Sequence, residues 1–576
     1  MRKIFSYLRP YFARMSIGLS IKFIGTILDL SLPWILARII DDVIPQNDMV
    51  LIFIWAGVML ICAVLAFVTN IIANRMASRV ARNTTETIRH DVFEKSINLS
   101  SAQIDDVSIS SLEARLTSDT YNVHQMVGMM QRLGVRAPIL LLGGILITLT
   151  LEPVLTLVLT AILPFVGILV WQVSKRGIPL YTKLQGKVDS LVGTVRENMS
   201  GIRVIKALSK TEYEKQRFSK VNQTVVDNEK KAAVTMALTN PMMNILLNLG
   251  LTVVIIVGAY RVNGGLTQPG KIIAFMSYFI IILNAMLMVT RMFVIFSKGS
   301  ASASRLSTVL DLPVELGAEK ILKPAENESV KNHHIVFKNV SFSYHKHRDN
   351  ISNISFEIEY GKSLGIIGAT GSGKSTLIQL LMRFYDTDKG EIFIDERPIR
   401  SIPSEELHKM FGVVFQNDTL FADTISENID FGRNLSKEQV EMAAEHAQAK
   451  EFISSLNHRF EHMLTVRGSN LSGGQKQRLL IARALALSPQ ILILDDSSSA
   501  LDYKTDSLVR NAINEIHKNT TKIIVAQRVS SIMQLDNILV LDEGKELGYG
   551  THEELLKSCE LYREIYTSQM GGGQIA

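Results

Sequence analysis

Long unbroken apolar stretches dominate the first half of the chain, and short β-branched runs take over in the second. Six stretches, near 15–40, 49–73, 127–151, 154–173, 235–260 and 272–296, each approach the roughly 20 residues that a helix needs to cross a bilayer. Pro33, Pro138, Pro164 and Pro241 fall inside them, which membrane helices tolerate because neighbouring groups re-satisfy the freed backbone. The connections sort by charge. Segment 41–48 and the pair Glu152–Pro153 contain no Lys or Arg, and 261–271 has them only at its two ends. Segments 74–126 and 174–234 are rich in both, from Arg75 and Arg79 to Lys206 and Lys210. Positive charge marks the cytoplasmic side, so these two long segments, and with six crossings both termini, are expected in the cytoplasm. They hold little Pro or Gly and are expected to run on as helices from the membrane. The basic start, 1–14, leads into the first long apolar stretch, which reads as a retained helix rather than a cleaved signal.

Beyond 312–332, a linker with Pro313, Gly317 and Pro324, the period changes. Apolar runs at 335–340, 363–367, 412–415, 491–494, 522–526 and 538–541 alternate with amphipathic helical patterns, which argues an α/β domain. The expected organisation is a membrane domain over 1–311, the linker 312–332, an α/β domain over 333–570 and a disordered tail at 571–576. The fold class is a multidomain membrane protein, an all-α six-helix transmembrane domain followed by an α/β P-loop domain.

Composition agrees. At 576 residues, 47% of them hydrophobic and 20% charged, with mean hydropathy +0.19, the chain is too long for one ordinary domain and too apolar for a soluble one. The net charge of +6 sits between apolar runs, and no arginine-rich patch interleaves with aromatics. Nucleic acid is therefore not an expected partner. Two cysteines, Cys62 and Cys559, offer no disulfide framework.

The chemistry concentrates at Gly368-Ala-Thr-Gly-Ser-Gly-Lys374-Ser375-Thr376, a G-x-x-x-x-G-K-[ST] phosphate loop between an expected strand and an expected helix at 376–382. Gly368, Gly371 and Gly373 let the backbone curl so that its N–H groups, with Thr370 and Ser372, face phosphates. Lys374 is expected on the β- and γ-phosphates, Ser375 on Mg²⁺, and Thr376 opens the helix whose N-terminus favours negative charge. The run Ile491-Leu-Ile-Leu494 ends in Asp495, which places a carboxylate at a strand end beside the phosphates, as a second Mg²⁺ ligand.

Leu471-Ser472-Gly473-Gly474-Gln475 precedes that strand, and this motif is the signature of ATP-binding-cassette proteins. With phosphate loop, signature and acidic strand end in this order, the chain is identified as a member of the ATP-binding-cassette family. Its membrane half resembles the six-helix exporter type. The resemblance implies ATP and Mg²⁺ as cofactors and gives roles to further positions. Tyr344 matches the aromatic that stacks on adenine. Gln416 matches the glutamine that senses the γ-phosphate and Mg²⁺, and 207–214 is expected to dock close to it. Ser499-Ala-Leu-Asp502 matches the D-loop. Because family members sandwich two ATPs between two cassettes, the site residues Ser472, Gly473, Gly474 and Gln475 would serve a partner's ATP, and a second half-transporter is required.

Three positions depart from the family pattern. The acid after the strand end is normally Glu, which polarises the attacking water; here it is Asp496, whose carboxylate falls about 1 Å short, a misplacement that can cost about 100-fold in rate. The switch histidine is Gln527, which hydrogen-bonds but carries no charge at any ordinary pH. Val466 also stands where the segment before the signature usually has an acid. An intact signature beside a weakened acid resembles one subunit of bacterial heterodimeric multidrug exporters, with a degenerate site on this chain and the catalytic Glu and His on the partner. The implied cargo is hydrophobic or amphipathic, drugs or lipids, moved out of the cytoplasm or inner leaflet of the cell membrane. An ATP-sensing regulatory subunit and an importer on the exporter scaffold are the alternatives. Ionisable residues inside the spans, Lys22, Asp29 and Arg291, are expected to pair between helices, with attraction of a cationic amphiphile by Asp29 as the other possibility.

Overall fold

The computed structural model describes residues 2–313, 333–344, 346, 348–497 and 500–570. The linker expected at 312–332, apart from Leu312 and Pro313, lies outside the described residues, as do Ser499 and the tail 571–576. The chain divides into two compact units. One is Met1–Ile97 with Ser110–Leu312; the other is Asn98–Ile109 with Pro313–Ala576.

In the first unit, the helices Phe12–Arg38, Met49–Ile97, Thr120–Leu151, Pro153–Ser200, Thr239–Asn263 and Pro269–Leu310 belong to six segments long and apolar enough to cross a membrane. Their breaks have local causes. Glu152 is extended (φ −156°, ψ 94°) ahead of Pro153, and Gln268 is extended ahead of Pro269. In both, proline takes a position in the first turn, where its missing N–H costs nothing. The second and fourth helices, 49 and 48 residues long, reach about 70 Å, well beyond the roughly 30 Å hydrocarbon layer.

Polar groups tie these helices together. Asp41 accepts from the backbone N–H groups of Gly270, at 2.6 Å, and Lys271, at 2.9 Å, and so caps the sixth helix from the end of the first. A Cβ on Gly270 would lie 2.6 Å from that carboxylate, so glycine is required there. Glu152 pairs with Arg261 at 3.1 Å, and Arg305 Nε donates to the buried Asp119 at 2.9 Å. Arg291, Asn244 and Asn248 are exposed.

The second unit is built on two sheets. β1 (His333–Phe342), β2 (Ile351–Glu359), β4 (Lys389–Ile394) and β5 (Arg397–Pro398) form an antiparallel sheet in the order β2-β1-β4-β5. The six-stranded sheet runs β10-β9-β3-β8-β7-β6, from β3 (Ser363–Gly368), β6 (Phe411–Val414), β7 (Ile491–Asp495), β8 (Thr521–Val525), β9 (Asn537–Asp542) and β10 (Lys545–Gly550). Only β10 is antiparallel to its neighbour there. One apolar core fills the space between the sheets and packs under the helix Lys374–Leu381; a second joins β6 and β7 to the helices around 425–485. The register pairs Ile366 with Val525 and Asp495 with Val525, which brings the carboxyl ends of β3, β7 and β8 side by side, the usual ligand position in an open parallel sheet.

Candidate functional site

β3 is buried along almost its whole length and ends at Gly368, where a Cβ would lie 2.1 Å from the carbonyl oxygen of Leu541. The loop then turns through Gly371 (φ 85°) and Gly373 (φ 100°), values that L side chains avoid, and the helix Lys374–Leu381 begins at once. Lys374 Nζ folds back over the loop and donates to the carbonyls of Gly368, at 3.0 Å, and Ala369, at 2.8 Å. Burial lowers its pKa, opposed by Asp495 and Asp496. Ser375 Oγ donates to Asp495 Oδ2 at 2.9 Å. Asp495 is 5% exposed; burial pushes its pKa up, and the Ser375 hydroxyl opposes that.

A cavity of ≈ 250 Å³ opens above this loop, lined by Thr370, Gly371, Gly373, Lys374, Ser375, Thr376, Gln416, Asp495, Asp496 and Gln527, together with Asn350, Val525 and Ala526. Asp496 begins the turn after β7 in a left-handed conformation (φ 51°), its N–H bonded to Val525 O at 2.9 Å. Gln527 Nε2 donates to Asp496 Oδ2 at 3.0 Å. Two of the positions that depart from the family pattern, Asp496 and Gln527, therefore touch each other.

The other residues expected here lie elsewhere. Tyr344 does not line the cavity. Its ring stands edge-on to Phe342 (4.9 Å) and Tyr385 (5.1 Å), and its hydroxyl, held as a donor by burial, reaches Thr376 Oγ1 at 3.2 Å and Gln379. Tyr385 in turn donates to Asp105 at 2.6 Å, on the short helix Ser101–Val107. Gly368 sits beneath the loop, and Ser372 lines a neighbouring cavity of ≈ 390 Å³ with its buried Oγ unbonded among the described residues. The signature residues form a helix cap. Ser472 Oγ accepts from the N–H of Gln475, the Gln475 side chain accepts from the N–H of Ser472, and the helix Gly473–Leu485 follows. Ser472 and Gly473 are exposed, and none of the four lines the cavity. Asn350 was not foreseen: it stands just before β2, bonded through Oδ1 to the N–H of Tyr344 at 3.1 Å, and nothing contiguous with the phosphate loop points to it.

This donor set fits a nucleotide phosphate and a hard cation. The loop presents backbone N–H groups, a buried unbonded hydroxyl and an ammonium. Ser375, Asp495 and Gln416 offer oxygens of the kind Mg²⁺ takes.

Comparison with known proteins agrees with this geometry. The family model described as ABC transporter transmembrane region matches residues 15–286, and the model described as ABC transporter matches 351–499. The chain is 35% identical over 573 residues to the ABC transporter ATP-binding protein YfiB of Bacillus subtilis (strain 168), covering 99% of each. It is 28% identical to the ATP-dependent lipid A-core flippase of Legionella pneumophila (strain Paris), over 99% of this chain and 96% of the other. A solved bacterial Atm1-family ABC exporter with ATP bound shares the fold, with a TM-score of 0.81, 24% identity and coverage of 98% and 99%. With a membrane region and an ATP-binding cassette in one polypeptide, the chain is an integral membrane protein that belongs to the ABC transporter family and has the fold of a solved ABC exporter.

Proposed function

We propose that this chain is one subunit of a heterodimeric ATP-driven exporter that moves hydrophobic or amphipathic compounds by alternating access. Its own site is degenerate: it holds ATP tightly and hydrolyses it slowly. Lys374 and the loop N–H groups bind the phosphates, with Thr370, Ser372 and Thr376 alongside; Ser375, Asp495 and Gln416 hold Mg²⁺; Tyr344 reaches the adenine after turning from its bond to Gln379. Bound Mg²⁺ neutralises phosphate charge during hydrolysis. Ser472, Gly473, Gly474 and Gln475 complete the catalytic site of a partner that carries Glu and His. The termini and the cassette face the cytoplasm, as the charge of 74–126 and 174–234 favours.

The observation that carries this reading is the Gln527–Asp496 hydrogen bond. A catalytic base must accept a proton from the attacking water. Here the shortened acid is engaged by an amide that cannot relay one. The signature lies clear of the chain's own cavity, as expected if it serves another ATP. The lipid named for the flippase relative supports the lipid part of that cargo class. The test is steady-state ATPase of this chain purified alone in lipid, with ATP binding measured beside it. Binding with almost no turnover is expected. Turnover of about 1–10 per second, ordinary for an enzyme, would place catalysis on Asp496 in a homodimer and remove the heterodimer argument.

A further inference from the structure

Just past β8 the chain leaves the sheet. The N–H of Ala526 still donates to Ile366 O, at 3.1 Å, and a short 3-10 helix takes over at Val529–Ser531. Between them stands Gln527, whose side chain lines the cavity above the phosphate loop and donates to Asp496. Main-chain groups in such a crossing must find partners outside the sheet ladder. One side chain supplies two of them. Gln569 Nε2 donates to Gln527 O at 2.8 Å, and Gln569 Oε1 accepts from the N–H of Val529 at 2.8 Å. Arg528, between those two residues, is extended (φ −107°, ψ 129°). In an extended segment the C=O of one residue and the N–H two residues on point the same way, and a neighbouring strand would bond both. A primary amide carries a donor and an acceptor side by side, so Gln569 takes the place of that strand.

Gln569 is placed by the last described helix, Glu560–Met570. Tyr562, Tyr566 and Gln569 fall at intervals of four and three, and so share one face. Tyr562 is fully buried. It belongs to one apolar cluster with Ile367, Ala526 and Val529, and Tyr566 packs against that cluster. Ile367 immediately precedes Gly368 of the phosphate loop, and Ala526 immediately precedes Gln527. The helix therefore backs both the phosphate loop and the segment 527–529, and it brings Gln569 to the second of these.

We propose that Gln569 is a positioning residue for the nucleotide site: it fixes the main chain at 527–529 so that the Gln527 amide meets Asp496 and the terminal phosphate of ATP. The helix Glu560–Met570 thereby belongs to the ATP site, although it lines no part of the cavity. The inference rests on the assignment of ATP to this cavity under the proposed function. Its effect is confined to the γ-phosphate, because ADP lacks the group that Gln527 meets.

The test uses the full chain in lipid nanodiscs and compares its affinities for Mg-AMP-PNP and Mg-ADP, read by displacement of a fluorescent nucleotide. Gln569→Leu keeps a good helix former at the position and removes both bonds. It should weaken AMP-PNP about tenfold, the scale of one hydrogen bond to a charged group, and leave ADP within about twofold. Gln527→Ala should weaken AMP-PNP equally. The double variant should lose no more than either single one, because the two residues act in series. Without nucleotide, amide hydrogen exchange at Val529 should be about fivefold faster in Gln569→Leu. Additive losses, equal losses of AMP-PNP and ADP, no loss at all, or unchanged exchange at Val529 would each overturn the proposal. AMP-PNP is not hydrolysed, so fast ATP turnover by the unmodified chain would count against the slow-site reading and leave this comparison standing. An unmodified chain that binds neither nucleotide would overturn the ATP assignment as well.

Discussion

On the proposed reading, one methylene limits hydrolysis at the end of β7. Asp495 is fixed by Ser375 and by burial, but Asp496 sits in a left-handed turn with its carboxylate held by Gln527 at 3.0 Å. A glutamate there would extend toward the cavity, and a histidine at 527 would add a group able to carry charge. Asp496→Glu combined with Gln527→His, in a complex whose partner has its own catalytic Glu disabled, is expected to raise hydrolysis at this site by roughly ten- to 100-fold. Single-turnover release of phosphate measures it, and an unchanged rate would mean that reach does not limit this site. Residues at this scale were legible where they are contiguous. The phosphate loop, Asp495, Asp496 and Gln527 are each read from a few neighbouring letters, and all except Gly368, Ala369 and Ser372 line one cavity. Asn350 and the bond from Tyr344 to Gln379 were not legible, because they join segments that only the fold brings together.

Among the elements, legibility followed burial. β3, β7 and β8 lie inside the six-stranded sheet and are buried along most of their length, so their apolar residues read as short continuous runs. β2 alternates, with Ile354, Phe356 and Ile358 buried between exposed partners, and β10 contains two glycines. Neither makes a run, and both were missed, as were β4 and β5. The helices of the α/β unit carry a further consequence. His446 ends the helix Lys437–His446, and His517 follows the helix Tyr503–Ile516. Their rings meet with His517 Nε2 3.3 Å from His446 Nδ1, so one proton can be shared but two cannot be accommodated. Burial lowers the pKa of both; His446 and Lys522 lower that of His517 further, and Glu445 opposes at His446. The unfolded chain therefore binds protons below its ordinary histidine value of about 6.5 while the folded chain does not. Stability is complete above that pH and falls as the pH drops through and below it, by at most about 1.4 kcal/mol per pH unit for each histidine. His517→Asn should flatten the pH dependence of the apparent melting midpoint of the full chain below pH 6.5, and an unaltered slope would assign the acid sensitivity to other groups.

At the scale of the whole molecule, the proposed reading gives one chain the parts of two half-sites. Its phosphate loop and Asp495 line a cavity, whereas Ser472–Gln475 cap a helix whose exposed start lines no part of that cavity. In a homodimer the two half-sites would be equivalent by symmetry, and damage to either would stop both ATPs. In the proposed heterodimer they serve different ATPs. Lys374→Ala in this chain then removes phosphate binding only at the slow site, while Ser472→Arg places a bulky cation where the partner's phosphates must sit. The complex isolated from native membranes through a tag on this chain should lose about 100-fold or more of its ATPase activity with Ser472→Arg, the scale seen when a single transition-state donor is lost. With Lys374→Ala it should keep a substantial fraction, because the site that turns over is intact. Equal losses from the two substitutions would make the sites equivalent. Asp496 would then have to work as the catalytic base despite its reach, and the partner would be a second copy of this chain.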